Sequence, residues 1–164
     1  MTVLQVEKNA AALTMVVTTE FTASIDNVWR LWTDAALFER WWGPPGMSPV
    51  SEEHDVTPGG RIAFFFTTPE GEKYPNVWEV LEVDPPTRLV LRDADVDDDG
   101  MPIDGNSLTR FEIDIVAAGD KTRMLLTSHF DSTAGMEQAI AMGIEEGMQL
   151  TLDKIDAVLT EVAA

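Results

Sequence analysis

Two periodicities alternate along the chain. Residues 13–22 (LTMVVTTEFT) are rich in β-branched side chains and predict a strand. Ser24 then offers an N-cap, and Ile25, Val28, Trp29, Leu31 and Trp32 follow at helical spacing. Thr33-Asp34 breaks this helix and caps a second short one over 35–42, which Gly43-Pro44-Pro45-Gly46 stops. From Val50 to Asp131 the period becomes two. Strands are predicted over 50–56, 61–67, 74–83, 88–92, 108–116 and 122–131. The turns between them are Pro58-Gly59-Gly60, Pro69-Glu70-Gly71, Asp84-Pro85-Pro86, a polar loop over 93–106, and Ala118-Gly119-Asp120. Ser132 or Thr133 can cap a last helix running to about Glu161. Its apolar stripe is Met136, Ile140, Ile144, Met148, Leu152, Ile155, Leu159 and Val162.

One strand, two short helices, six strands and one long helix predict an α+β fold. An antiparallel sheet with one apolar face must cover that face, and the C-terminal helix is the cover. The expected architecture is a curved antiparallel sheet of about seven strands wrapped around a long C-terminal helix, with two short helices after the first strand. Residues 1–10 are expected as an N-terminal tail and 11–164 as a single domain. A length of 164 residues fits one core.

Alternation also predicts which side chains turn inward. Arg61 facing water turns Ile62, Phe64 and Phe66 inward, and Arg88 and Arg92 do the same for Leu89 and Leu91. By the same logic Phe111, Ile113, Ile115, Met124, Leu126, Ser128 and Phe130 face in, joined by Trp78 and Val80. Met136, Ile140, Ile144 and Met148 face them from the helix. Such an aromatic and methionine-rich lining suits an apolar ligand, and it suits a filled core equally. Adjacent helical residues point about 100° apart, so Trp41 and Trp42 rarely share one environment. Either one belongs in the core and the other at a pocket mouth or interface, or, as is commoner, both are packing residues that close the end of the cavity. The candidate ligand-lining set is Trp41, Ile62, Phe64, Phe66, Trp78, Phe111, Leu126, Met136, Ile140, Ile144 and Met148. Gly143 and Gly147, four apart on the last helix, either widen the space or permit close contact with the sheet.

Charge and chemistry narrow the function. The net charge of −18 repels phosphate backbones and anionic membranes, which argues against nucleic acid and membrane insertion. Cysteine is absent, which removes disulfides, thiolate metal sites and cysteine nucleophiles. Met1 to Ala10 lacks the basic start and apolar middle of an export signal, so a cytoplasmic location is expected. Asp95-x-Asp97-x-Asp99-Gly100 reproduces the front half of a calcium loop. Asn106 then stands where a bidentate Glu is needed, so a solvated acidic loop without metal is expected. His129 alternates outward. His54, flanked by Glu53 and Asp55, could act as a base, but a surface histidine is the commoner case. No catalytic residue and no cofactor is assigned.

Several motifs together resemble a known family. Val28-Trp29-Arg30-Leu31-Trp32-Thr33-Asp34 is similar to its first helix, and Phe38-Glu39-Arg40-Trp41-Trp42-Gly43-Pro44 to its most recognisable motif. Pro58-Gly59-Gly60, Pro85-Pro86-Thr87-Arg88-Leu89-Val90, Gly119-Asp120-Lys121-Thr122-Arg123-Met124 and 147–159 fit its later turns, hairpin and last helix. The family is that of the bacterial homologues of the activator of the heat-shock-protein-90 ATPase, within the START-related superfamily. The acidic connection over 93–106 departs from its shorter pattern. The resemblance implies a helix-grip fold with an internal cavity, and no single activity. A binding module for a small apolar or amphipathic molecule is expected, as a monomer or a homodimer formed through Trp42 or a sheet edge. The family name implies an alternative, a chaperone or other protein partner whose ATPase is stimulated. That role would be expected to bring a second domain, and no second boundary is found. Superfamily relatives imply a third reading, a cyclase- or hydrolase-type enzyme, which needs a titratable pair inside the cavity.

Overall fold

The computed structural model describes residues 3–43, 46–93 and 108–163. The chain runs β1 (Val3–Asn9), β2 (Thr14–Phe21), α1 (Ile25–Thr33), α2 (Ala35–Trp41), β3 (Val50–His54), β4 (Arg61–Thr67), β5 (Lys73–Asp84) and β6 (Arg88–Asp93). It continues through β7 (Leu108–Ala118), β8 (Lys121–Phe130), α3 (Thr133–Ala141), α4 (Ile144–Leu152) and α5 (Ile155–Ala163). Among the described residues all eight strands form one antiparallel sheet in the order β1-β2-β8-β7-β6-β5-β4-β3. The α+β architecture of a curved sheet gripping C-terminal helix is present as expected.

The short helices start where their caps demand. Ser24 accepts from the Asn27 N–H at 3.2 Å, and Asp34 accepts from the Ala36 N–H at 3.0 Å. Each such cap satisfies a backbone donor that the first turn leaves orphaned. One face of each helix is buried, through Val28, Leu31 and Trp32 and then Leu37, Phe38 and Trp41. The sheet alternates as the sequence predicts. Met15, Val17 and Phe21 of β2 point into the core, as do Ile62, Phe64, Leu89, Leu91, Ile113, Ile115, Met124 and Leu126. Extra residues in β1, β3, β5 and β7 shift the register, and bulges of this kind bend a strand and increase its twist. On the outer face Arg88 joins Glu82, Glu112 and Asp114, and Arg123 joins Glu20.

Two expectations need correction. The supposed N-terminal tail carries β1, which pairs with β2 from Val3↔Thr19 to Asn9↔Thr14. Its Gln5, Glu7, Lys8 and Asn9 are exposed while Val6 packs half-buried against the core, so backbone pairing carries much of its attachment. The long final helix is three segments. Gly143 adopts φ +87°, ψ 31°, a left-handed conformation that ends α3 and redirects the chain into α4. The break between α4 and α5 is milder. Asp153 stays right-handed, and the Lys154 N–H bonds the Thr151 carbonyl at 3.3 Å in a tight i+3 turn. The helix stop at Pro44-Pro45 and the acidic motif around Asp95–Gly100 lie outside the described residues.

α5 buries Ile155, Val158 and Leu159, and Arg40 of α2 pairs with Glu161. α4 is tied to the sheet edge by Lys8 and Glu145 at 2.6 Å. The two glycines of this region should therefore respond with opposite signs. Gly143→Ala places a Cβ on a left-handed residue and should lower stability by about 1–2 kcal/mol. Gly147 is exposed and helical, and a Cβ there meets nothing within 4 Å. Gly147→Ala should raise stability by about 0.5–1 kcal/mol. Urea midpoints of both variants check the pair, and equal signs would contradict this account of the break.

Candidate functional site

The space of interest is built outward from an aromatic cluster. Trp32 and Trp41 are fully buried and meet edge to face, with centroids 4.8 Å apart. Their indole N–H groups are satisfied, Trp41 by the Leu31 carbonyl at 2.9 Å and Trp32 by the Met124 sulfur at 3.3 Å. Phe38 packs on Phe64 and Trp78 from the helical side. Trp42 leaves the helix with φ −75°, ψ 144°, and its ring meets that of Trp41 edge to face at 5.4 Å and 89°. One face of Trp42 stacks on Phe38 at 5.7 Å and 16°. Trp78 meets Trp42 edge-on at 5.0 Å and 85°, so the two indoles form a corner.

Two adjoining chambers open from that corner, and Trp42, Ile144 and Met148 wall both. The outer chamber, about 320 Å³, adds Gly43, Phe66, Gly147, Leu150 and Thr151. The inner one, about 190 Å³, adds Trp78, Leu91, Asp93, Phe111 and Ser128. Of the residues predicted from sequence, Phe66, Trp78, Phe111, Ile144 and Met148 come together here. Trp41 lies behind Trp42 in the core. Ile62, Phe64 and Leu126 are buried in the sheet face, and Met136 is buried on α3. Ile140 packs on the core half-buried. The turn at Gly143 explains the division on the helical side. It carries α4 over the chambers and leaves α3 packed on β8.

The residues that alternation missed are informative. The β6 strand extends to Asp93, in phase with Leu89 and Leu91, and Asp93 pairs across the sheet with Trp78. A carboxylate thus stands in the apolar register of the inner face. Ending the strand at Arg92 hid it; the alternation of RLVLRD itself contained the signal. Ser128 pairs with Phe111, is 2% exposed, and makes no hydrogen bond to a described residue.

At the outer chamber a single carbonyl gathers two donors. Thr151 Oγ1 lies 3.3 Å and Lys154 Nζ 2.6 Å from the oxygen of Gly43. This joins the α4–α5 junction to the end of α2. Gly43 must be glycine: its φ is +96°, and a Cβ would lie 2.5 Å from the Phe66 ring. Burial holds the Lys154 ammonium below the ordinary lysine range. His54 is set apart from both chambers. Its Nε2 lies 2.7 Å from the Trp32 carbonyl, and its Nδ1 is buried without a partner among the described residues. His129 lies 3.3 Å from Glu112 on the outer face. Among the described residues no cluster of three His, Asp or Glu side chains could hold a metal, and no helix is long and apolar enough to cross a membrane.

The sequence profile of the family described as activator of Hsp90 ATPase homolog 1-like protein matches residues 22–160. The chain belongs to that family. Solved members of this fold are close in shape. A crystal structure of protein Ms6760 from Mycobacterium smegmatis is 31% identical, with TM-score 0.86, covering 98% of this chain and 99% of that one. A solution structure of an Arthrobacter aurescens protein is 36% identical, with TM-score 0.88, covering 97% and 92%. The fold alone is shared with CalU16 from Micromonospora echinospora, at 20% identity and TM-score 0.59, covering 97% and 73%. No curated protein matches by sequence.

In this chain the partly buried ammonium of Lys154 sets a pH dependence. The folded pKa of Lys154 lies below its unfolded value, so the unfolded state binds more protons between the two. Stability of the wild type should therefore rise, relative to Lys154→Met, as pH climbs through the lowered pKa toward 10.5. Urea midpoints of both proteins across that range check the sign. A parallel pair of curves would remove Lys154 from the account.

Proposed function

We propose that this chain is a START-like binding domain that encloses a small apolar or amphipathic molecule between α4 and the concave face of the sheet. The observation that carries this reading is the pair of adjoining chambers with a common wall of Trp42, Ile144 and Met148. The outer volume lies within the range of small-molecule sites, and its lining is almost wholly apolar. Met148, unbranched and shared by both chambers, can adapt to irregular ligands. Binding is favoured over catalysis by the placement of His54, which is held on a backbone carbonyl and lines neither chamber. A cytoplasmic, monomeric or homodimeric carrier fits this role.

The family description supports a second reading, stimulation of a chaperone ATPase. An ATPase assay with added protein separates the two, because a ligand carrier leaves that rate unchanged.

The primary test is uptake of a neutral hydrophobic dye such as Nile red, with native mass spectra taken before and after exposure to a lipid and metabolite extract. The wild type should take up the dye and retain an adduct that displaces it. Gly147→Phe projects a ring into the outer chamber from an open position and should weaken dye binding by about tenfold or more while the protein stays folded. No uptake by the wild type, or uptake indifferent to Gly147→Phe, would remove the cavity as the site of function.

A further inference from the structure

We infer that the enclosed molecule carries a single phenolic ring, seated in the inner chamber with its hydroxyl bonded to Ser128. This rests on the binding reading above and assigns its ligand class. Ser128 stands on the inner face of β8, directly opposite Met15 of β2 and Phe111 of β7. Leu126 and Phe130 flank it on the same face of its own strand. All four neighbours are apolar and buried, and the Ser128 hydroxyl makes no hydrogen bond among the described residues. The residue is itself 2% exposed and lines the inner chamber. A hydroxyl taken from water without a partner costs free energy, and a ligand group inside the chamber recovers it. Asp93 lines the same chamber but has an interaction of its own, so it sets no such demand. Its carboxylate bears on the ligand in another way, by disfavouring an anionic head placed beside it.

The walls specify the ring. Trp42, Trp78 and Phe111 supply three aromatic side chains to one chamber of about 190 Å³. Trp42 and Trp78 meet at 85° with centroids 5.0 Å apart. A flat ring beside such a corner can stack offset on one indole and meet the other edge to face, the two arrangements that aromatic quadrupoles favour. A saturated chain gains neither. An apolar cavity of about 150 Å³ is enough to hold benzene, so the inner chamber takes one ring with a small polar substituent. The rest of the molecule passes Met148 into the outer chamber of about 320 Å³, where Phe66 and Leu150 give it apolar walls. A phenol suits the polar side better than a ketone or an ether. Its O–H donates to the Ser128 oxygen, whereas a group that only accepts would bring its lone pairs toward Asp93.

The test is calorimetric titration with three probes: 4-butylphenol, 4-butylanisole and 4-butylcyclohexanol. The anisole keeps the ring and loses the donor; the cyclohexanol keeps the hydroxyl and loses the ring. The phenol should bind about fivefold more tightly than either. Ser128→Ala should bring phenol and anisole to within about twofold of each other, while the preference for phenol over cyclohexanol persists. Because the Ser128 hydroxyl holds nothing in the protein, the variant should keep the wild-type thermal midpoint, and the three probes on the wild type test the inference without any variant. Cyclohexanol bound as tightly as phenol would overturn the inference. So would a preference for phenol over anisole that survives Ser128→Ala, since the hydroxyl would then be met elsewhere. If Nile red is taken up and none of the three probes binds, the ligand class fails and the cavity reading stands. If neither the dye nor any probe binds, both fail together.

Discussion

A curved sheet of eight strands presents more apolar surface than one helix can cover, and the rest of the molecule follows from how that surface is shared. α1 and α2 drive a wedge of aromatic rings against one region of the sheet. α5 packs on that wedge. α4 is left to span the remainder, held at one edge by the Lys8–Glu145 pair and at its far end by the Gly43 carbonyl. Trp42 is the ring at which filled core gives way to open space. It is stacked on Phe38 on one side and bounds both chambers with the rest of its surface.

Much of the fold was legible because alternation and capping are local signals. Arg61–Thr67 reads as a strand from RIAFFFT alone, and Ser24 and Asp34 announce their helices. What escaped depends on signals that side-chain pattern does not carry. β1 pairs through its backbone with Gln5, Glu7, Lys8 and Asn9 in water, so its sequence looks like a tail. The apolar stripe from Met136 to Leu159 runs unbroken across Gly143, and nothing in a stripe reports a left-handed φ.

The site was legible in part for a related reason. Alternation states which face a residue occupies, and it does so correctly for Phe64 and Phe66 alike. It does not state how near the covering helix comes, which is what separates a core residue such as Phe64 from a chamber wall such as Phe66. Trp41 and Trp42 show the same limit at a single peptide bond. Asp93 could have been found from sequence by following RLVLRD one residue further. Ser128 was correctly turned inward, but its lack of a hydrogen-bond partner among the described residues is a property of three-dimensional packing.

The pairing of β2 with β8 has a further consequence, for the order in which the molecule assembles. It joins Thr14–Phe21 to Lys121–Phe130, and a side chain on one strand, Thr19, bonds the backbone of Met124 on the other, 105 residues away. During synthesis from the N-terminus, β2 has only β1 as a strand partner until the roughly 100 residues up to β8 have followed. Its Met15, Val17 and Phe21 stay uncovered for that time, while the hairpins from β3 to β7 can form among themselves. Closure of so long a loop is entropically costly and slow, so the last hairpin and the C-terminal helices arrive together to complete both the sheet and its cover.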